Sequence, residues 1–399
     1  MYWDANNLYG WAMSQCLPYK DLKFETEVSL DQILNTPDDH ETGYFVECDI
    51  TFPKEIHEKL KEFPPCPENL LPKLEWFSDF QKEVGKATGS IRKNEMYSGT
   101  PKLIPHLMEH KNYVIHYRNL KFIKELGVEI GTIHNIASFK QKAWLGEYIN
   151  FNTEKRKQAT NDFEKDFFKL MNNAVFGKTM ENVKNGIQLH LTTDEENAKK
   201  LYSKLTFKDA RHFNGLHLIE MYKDKVMYDK PLYVGTSVLD LSKLCMMDFH
   251  YNTIHANFEG KYNVLYSDTD SLVYSIEHED IYEWIKENKH HFDLSDSKRP
   301  DLKDNANKKV LGKFKDEMNT LLTKEFLSLN PKVYSIVHQD EDKTGKIIEK
   351  NKKTLKGVSK TVVKKEISHQ DYQKVLKDNE PIKRTVTSIR SRSEEHTSE

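Results

Sequence analysis

The chain has 399 residues, with 60 Lys and Arg against 62 Asp and Glu for a formal net charge of -2, enough length for two or three packed units. A composition of 37% hydrophobic and 11% aromatic residues, with only 16 Gly and 13 Pro, excludes collagen-like, low-complexity and wholly disordered classes. No apolar run approaches the length of a membrane span, and Cys16, Cys48, Cys66 and Cys245 form no CxxC pair, so neither a membrane partner nor a disulfide framework is expected and a reducing intracellular compartment is the default.

The chain begins abruptly. Met1-Tyr2-Trp3 runs into Asp4 with no room for the beginning of a strand, which reads as a fragment. The run Asp4-Ala5-Asn6-Asn7-Leu8-Tyr9-Gly10 is expected to leave a strand and turn at Gly10, with Tyr9 about one turn beyond the acid. From about 21 to 104, strand-like runs such as Gly43 to Ile50 alternate with a Pro cluster at Pro64, Pro65 and Pro67. Leu107, Val114, Tyr117, Leu120 and Ile123 predict a helix from His106 to Leu126, stopped by Gly127. Its first turn, His106-Leu107-Met108-Glu109-His110, fits the HxxEH pattern of a zinc protease, but no downstream glutamate ligand can be identified.

The basic run Lys155-Arg156-Lys157 precedes a second helix, from about Asn161 to Gly177. Lys165, Lys169, Asn173 and Gly177 recur every fourth residue, so they drift by roughly 40° per step and share one face. That face would present ammonium groups to a triphosphate, with Gly177 allowing close approach; the ordinary alternative is an amphipathic surface helix buried through Phe163, Phe167, Leu170 and Met171. Strands follow at Gln188 to Leu191 and Leu216 to Met227, a helix at Val238 to Ala256, and a hairpin at Asn263 to Ile276. Between 343 and 365 nine Lys stand against one Glu, which suits phosphate contact or a solvated lysine-rich hairpin. The last residues, 392–399, read like translated library adapter.

The sharpest chemical signal is Tyr266-Ser267-Asp268-Thr269-Asp270-Ser271, with strand-forming residues on both sides. At i and i+2 in extended backbone, Asp268 and Asp270 would leave one face together, and paired hard oxygens suit Mg²⁺, although Asp also favours turns for its own hydrogen bonds. Two-metal transfer of a phosphoryl or nucleotidyl group needs a further carboxylate from elsewhere in the chain, and Asp4 offers it. Tyr9 could stack on a nucleotide sugar and exclude a 2′-hydroxyl, or simply be a packed aromatic.

Taken together, the three runs resemble family B DNA polymerases of the protein-primed branch found in phages, adenoviruses and Maverick/Polinton-type elements. Asp4 to Gly10 resembles motif A (DxxSLYP), with Asn7 for Ser and Gly10 for Pro; Lys169 to Gly177 resembles motif B (KxxxNSxYG), with Ala174 for Ser and Phe176 for Tyr; Tyr266 to Ser271 matches YxDTDS of motif C. Lys332-Val333-Tyr334 matches the KxY motif, Leu311 to Phe314 resembles the palm segment before it, and Lys356-Gly357-Val358 the entry to the thumb.

The resemblance implies an α+β, right-hand polymerase fold with antiparallel palm sheet, helical fingers and a small thumb. In that scheme 1–20 is palm, 21–150 insertion and palm, 151–186 fingers, 187–226 a second insertion, 227–335 palm, 336–391 partial thumb and 392–399 a non-native tail. It implies that Asp4, Asp268 and Asp270, with Ala5 beside them, hold two Mg²⁺ ions for which Mn²⁺ can substitute. Tyr9 would be the sugar gate, Lys157, Lys165 and Lys169 would meet the triphosphate, and Asn173 and Gly177 would line the nascent pair. Tyr266, Ser271, Lys332, Tyr334, Lys356, Gly357 and Lys243 would contact DNA. The implied partners are primer-template DNA, dNTPs and a terminal protein primer; no counterpart of the family's exonuclease is expected in this sequence, hence no proofreading. The rival readings are a mobile-element remnant that binds DNA without extending it and, remotely, the HxxEH protease. A reverse transcriptase or RNA polymerase palm shares the acidic logic, but a lysine helix between the two acidic motifs favours family B.

Overall fold

The computed structural model describes residues 1–87, 89–92, 97, 99–341, 344–378 and 382. Lys343 and the 392–399 tail lie outside the described residues, as does much of the end of the expected thumb. The architecture is mixed, with several small sheets and helices in two compact units: one from 1–8, 46–134 and 242 onward, the other from 9–45 and 135–241. The interval expected as an insertion, 21–150, is thus shared, with 46–134 in the first unit and its two ends in the second.

In the first unit a five-stranded sheet runs in the order Tyr262–Asp268, Ser271–Ile276, Tyr2–Ala5, Phe314–Asp316, Phe292–Asp293; only the last pair is parallel. Tyr2–Ala5, although it lies at the chain start, is the central strand of this sheet. Four residues suffice because Trp3 and Asp4 pair on both sides, with Leu272 and Ser271 on one and Asp316 and Lys315 on the other. Trp3 is fully buried on one face, with ring centroids 5.4–5.7 Å from Phe292, Phe249 and Tyr274. Phe249 also stacks on Phe314 at 3.7 Å. It opens Phe249–His255, where the Leu232–Asp248 helix continues in π form, so the helix expected from Val238 starts earlier and changes winding.

The opposite face carries Tyr2 and Val273, which pack with Met318, Tyr334 and Ile336. Tyr334 and Ile336 lie on the middle strand of a second antiparallel sheet, Thr323–Asn330, Val333–Glu341 and Ile347–Leu355. The lysine-rich stretch supplies its last strand, where Lys350 pairs with Asp340 at 2.6 Å and Lys352 with Glu317 at 3.1 Å. Two of its lysines are therefore answered by neighbouring acids.

The helix expected from His106 to Leu126 divides. His110–His116 is a strand and only Tyr117–Glu125 is helical, because the β-branched pair Val114-Ile115 favours extension and His116 caps the helix by accepting from the Arg118 N–H at 3.3 Å. Gly127, at φ +99°, ends the helix as expected.

In the second unit, Leu17–Glu25 pairs with residues 136–142 of the Glu129–Lys142 strand, and helices Gly146–Gln158 and Asp162–Thr179 pack together. Ile187–Thr192, Leu216–Tyr222 and Phe207–Phe213 form a three-stranded sheet against the Glu195–Tyr202 helix, through Ala198, Leu201, Ile219 and Met221.

Candidate functional site: a row of acids across the sheet

Residues directly opposite one another in adjacent strands share a face of the sheet. Asp268 pairs with Ser271, Ser271 with Asp4, and Asp4 with Lys315, so Asp268, Ser271, Asp4 and Lys315 form one row on the face that bears Tyr2 and Val273. Lys315 is drawn aside to Asp296 at 2.6 Å, and the row's remaining charge is acidic.

Asp270 arrives by a different route from the one its spacing suggests. The two-residue turn Thr269-Asp270 closes the hairpin, with Thr269 at φ +56°, so the Asp268–Asp270 backbone is not extended. A β-branched residue in this region costs on the order of 1–3 kcal/mol and persists only where its surroundings fix it. Here the Asp270 N–H donates to the Asp268 carbonyl at 2.6 Å, and the Ala5 N–H donates to the Asp270 carbonyl at 2.7 Å. The second bond ties the turn directly to the Asp4 strand.

The run after Asp4 is also pinned. Asn7, at φ +43°, makes the turn expected of Gly10, which instead lies inside the Leu8–Met13 helix. Asn6 exchanges backbone hydrogen bonds with the 311–314 segment, donating to the Lys313 carbonyl at 2.8 Å and accepting from the Gly312 N–H at 2.9 Å; its side-chain amide donates to buried Asp293 at 2.8 Å.

Over the acids sits the turn before Val333. Lys332, at φ +62°, places its Nζ 2.5 Å from Asp268 Oδ2, and its N–H donates to the Tyr266 hydroxyl at 3.0 Å, which in turn donates to Asp268 at 3.4 Å. The Asp268 carboxylate raises the Lys332 pKa, while burial raises that of Tyr266. Tyr334 is buried, its hydroxyl 3.2 Å from that of Tyr2, so the KxY run sends its lysine to the acids and its tyrosine into the core. The Lys356 N–H donates to the Lys332 carbonyl at 3.0 Å, and Gly357, at φ +89°, turns the chain there. Lys243 lies half-buried on the Leu232–Asp248 helix.

The motif B residues occupy the Asp162–Thr179 helix, which Asn161 caps by accepting from the Glu164 N–H at 2.9 Å. Lys165 pairs with Asp162 at 3.1 Å, Lys157 on the preceding helix pairs with Glu154 at 2.8 Å, and Lys169 is exposed. Of the apolar side that the alternative reading would bury, Phe163, Phe167 and Leu170 are 78%, 44% and 63% exposed and Met171 is half-buried, while the helix buries Asn172, whose amide reaches Thr153 on the neighbouring helix at 3.4 Å. Tyr9 stacks on Phe176 at 4.4 Å, and a Cβ added at Gly177 would meet nothing within 4 Å. The chain's own packing therefore does not require glycine at this position in the last turn of the helix.

Mg²⁺ takes hard oxygen donors, commonly one or two carboxylates with water and phosphate, and Asp268 already pairs with the Lys332 ammonium. The acids do not gather all three sets of oxygens within 4.8 Å. Among the described residues only Glu68, His106 and His110 do so with their ligating atoms. Glu68, upstream of the HxxEH run, was not foreseen; nothing in its sequence context marks it. His106 and Glu109 lie outside any helix, and Glu109 pairs with Lys111, so the arrangement a zinc protease needs is absent there.

No described helix is long and apolar enough to cross a membrane. No family model matches the chain, and no curated protein does. Solved structures that share its fold include two of one polymerase. Phi29 DNA polymerase in an orthorhombic crystal form is 17% identical with a TM-score of 0.50, over 93% of this chain and 53% of that one. The same polymerase complexed with primer-template DNA and incoming nucleotide substrates is 17% identical with a TM-score of 0.52, over 93% and 52%. The chain thus spans about half the length of the structures it matches, and at this identity the likeness is one of fold.

Proposed function

We propose that the chain is the polymerase module of a protein-primed family B DNA polymerase, adding dNTPs to a primer 3′-hydroxyl on a DNA template. The observation that carries the reading is the cross-strand row of Asp4 and Asp268 with the Asp270 turn hydrogen-bonded to Ala5. In this reading the five-stranded sheet is the palm, the Gly146–Gln158 and Asp162–Thr179 helices belong to the fingers, and the sheet with the Lys360–Glu366 helix leads into the thumb. Asp4, Asp268 and Asp270 would hold Mg²⁺, with Ala5 beside them. When bound, the metal supplies Lewis-acid activation of the 3′-hydroxyl and charge stabilisation at the pyrophosphate leaving group.

The remaining roles belong to the chain's own groups. Lys332 neutralises Asp268 in the absence of metal and turns to primer phosphate once that carboxylate is engaged. Tyr334 and Tyr266 fix the Lys332 turn. Lys157, Lys165 and Lys169 attract the triphosphate, Asn173 and Gly177 border the base pair, and Tyr9, braced by Phe176, excludes a 2′-hydroxyl. Sequence is read by base pairing, so DNA affinity is salt-sensitive and nearly sequence-independent.

The test is primer extension with Mg²⁺ and dNTPs. Asp270→Asn is expected to lower extension by about a thousandfold or more, since removing a metal-bearing carboxylate forfeits several kcal/mol of transition-state stabilisation, while primer-template binding persists. Unchanged extension in the Asp268→Asn, Asp270→Asn double variant overturns the site. Binding without extension in the parent chain favours a remnant that no longer copies DNA.

A further inference from the structure

Among the described residues, a cluster apart from the acid row assembles metal-ligating side chains that the polymerase reading does not use. The short strand Glu68–Leu70 pairs with Lys102–Ile104, with Glu68 opposite Ile104, which brings Glu68 beside the run that follows. There the His106 and His110 rings stack at 4.3 Å, and both Nε2 atoms face the same carboxylate oxygen, Glu68 Oε2, at 2.9 and 3.7 Å. Phe52 and Tyr113 close around His110, which is fully buried.

Three acceptor oxygens, of Met108, Cys66 and Glu68, face the nitrogens of two rings that carry one N–H each when neutral. His110 has a carbonyl oxygen at each ring nitrogen: Met108 O at 2.8 Å from Nδ1 and Cys66 O at 2.8 Å from Nε2. A neutral imidazole carries one N–H, so one contact would set a lone pair against a carbonyl oxygen. With the proton on Nδ1 and donated to Met108, as ligating histidines commonly donate their second nitrogen to a backbone carbonyl, the Nε2 lone pair points toward Cys66 O and Glu68. His106 Nε2, although 2.9 Å from Glu68 Oε2, makes no aligned hydrogen bond and is buried. Because the Met108 N–H donates to His106 Nδ1, the neutral ring carries its proton on Nε2 beside Glu68, the position a metal ion would take over.

We propose that Glu68, His106 and His110 bind a structural Zn²⁺ ion, with the Cys66 carbonyl as the fourth donor. Two imidazole nitrogens and two oxygens suit a borderline divalent ion that accepts tetrahedral geometry. A carbonyl in the fourth position closes the site to water, and Glu109 is held by Lys111, so the ion has no hydrolytic partner and acts as a clamp. The clamp joins the Glu68–Leu70 ribbon to the start of the His110–His116 strand. Binding through His106 Nε2 moves that ring's proton to Nδ1 and so removes its contact with the Met108 N–H, at 3.2 Å a long one.

The experiment strips the full chain with a chelator and titrates it with Co²⁺, read by its visible tetrahedral bands, and with Zn²⁺ by calorimetry, in the Asp268→Asn, Asp270→Asn background so that the acid row cannot contribute. About one equivalent is expected. His106→Ala should abolish the Co²⁺ bands, and the isosteric Glu68→Gln, which keeps the fold by far-UV circular dichroism even if His110→Ala does not, should weaken binding by about tenfold or more. Two results overturn the proposal: a folded chain that binds no stoichiometric metal at neutral pH, or binding unchanged in both variants.

Discussion

The acid-bearing sheet and the lysine-bearing helix answer different demands. Around Asp4 and Asp268 nearly every backbone group is tied to a neighbouring strand, the strained Thr269 turn is held by Ala5, and Trp3 lies fully buried beneath. On the Asp162–Thr179 helix, Lys169 is exposed, Phe163 and Leu170 stand in solvent, and the space over Gly177 is open. The difference teaches that one region is organised in advance by packing, whereas the other leaves most of its side chains at least partly to solvent. Substitutions should therefore separate: stability should respond in the first region and ligand response in the second.

The largest effect expected on stability is at Trp3. Trp3→Ala removes a fully buried ring from contact with Phe249, Tyr274 and Phe292, and should destabilise the chain by about 3–5 kcal/mol in denaturant unfolding. A loss under about 1 kcal/mol would mean that the sheet is not the organised half.

The same core holds His250, whose Nδ1 meets the Tyr274 hydroxyl at 2.9 Å. Burial, with His255 nearby, depresses its pKa to about 3. The folded state then binds fewer protons than the unfolded one below the usual histidine range near 6.5, so this contribution is fully present above that range and is lost as pH falls toward 3. Stability should fall by up to about 1.4 kcal/mol per pH unit across that window, and His250→Asn should flatten the profile. An unchanged slope in the variant would show that other groups carry the acid sensitivity.

How much of this was legible in the sequence follows the same division. YSDTDS between two strand-forming runs announced both hairpin and acids, because alternation and turn chemistry are local. The helix of 162–179 was legible for the same reason, but its buried side was not: Phe163, Phe167 and Leu170 lie outside while Asn172 is inside, a choice made by Thr153 on another helix. The His106 to Leu126 segment misled because apolar residues at helical spacing also fit a strand followed by a helix. Glu68 and the Lys332–Asp268 pair could not be found at all, since strand pairing and a turn bring together residues far apart in sequence.

On the lysine helix the prediction reverses. Lys169→Ala should leave unfolding within about 0.5 kcal/mol of the parent, since the side chain is exposed, and raise the KM for dNTP by about tenfold, the effect of losing one charge-assisted contact to phosphate. Equal dNTP response with lowered stability would dissolve the contrast.

The smallest expected effect is at Lys332, where the two regimes meet. Its ammonium is 50% exposed and pairs with an Asp268 that is 29% exposed, so the pair contributes little to stability. In function it is pulled two ways, toward Asp268 when no metal is held and toward phosphate when DNA is bound. Lys332→Ala should therefore lower the Mg²⁺ concentration for half-maximal extension by a few-fold, because Asp268 no longer has a competing cation. It should also weaken primer-template binding and make its logarithmic salt dependence shallower by about one phosphate contact. A raised Mg²⁺ requirement would mean that Lys332 helps to shape the metal site and does not compete for it, and an unchanged salt slope would mean that the ammonium never leaves Asp268 for the DNA.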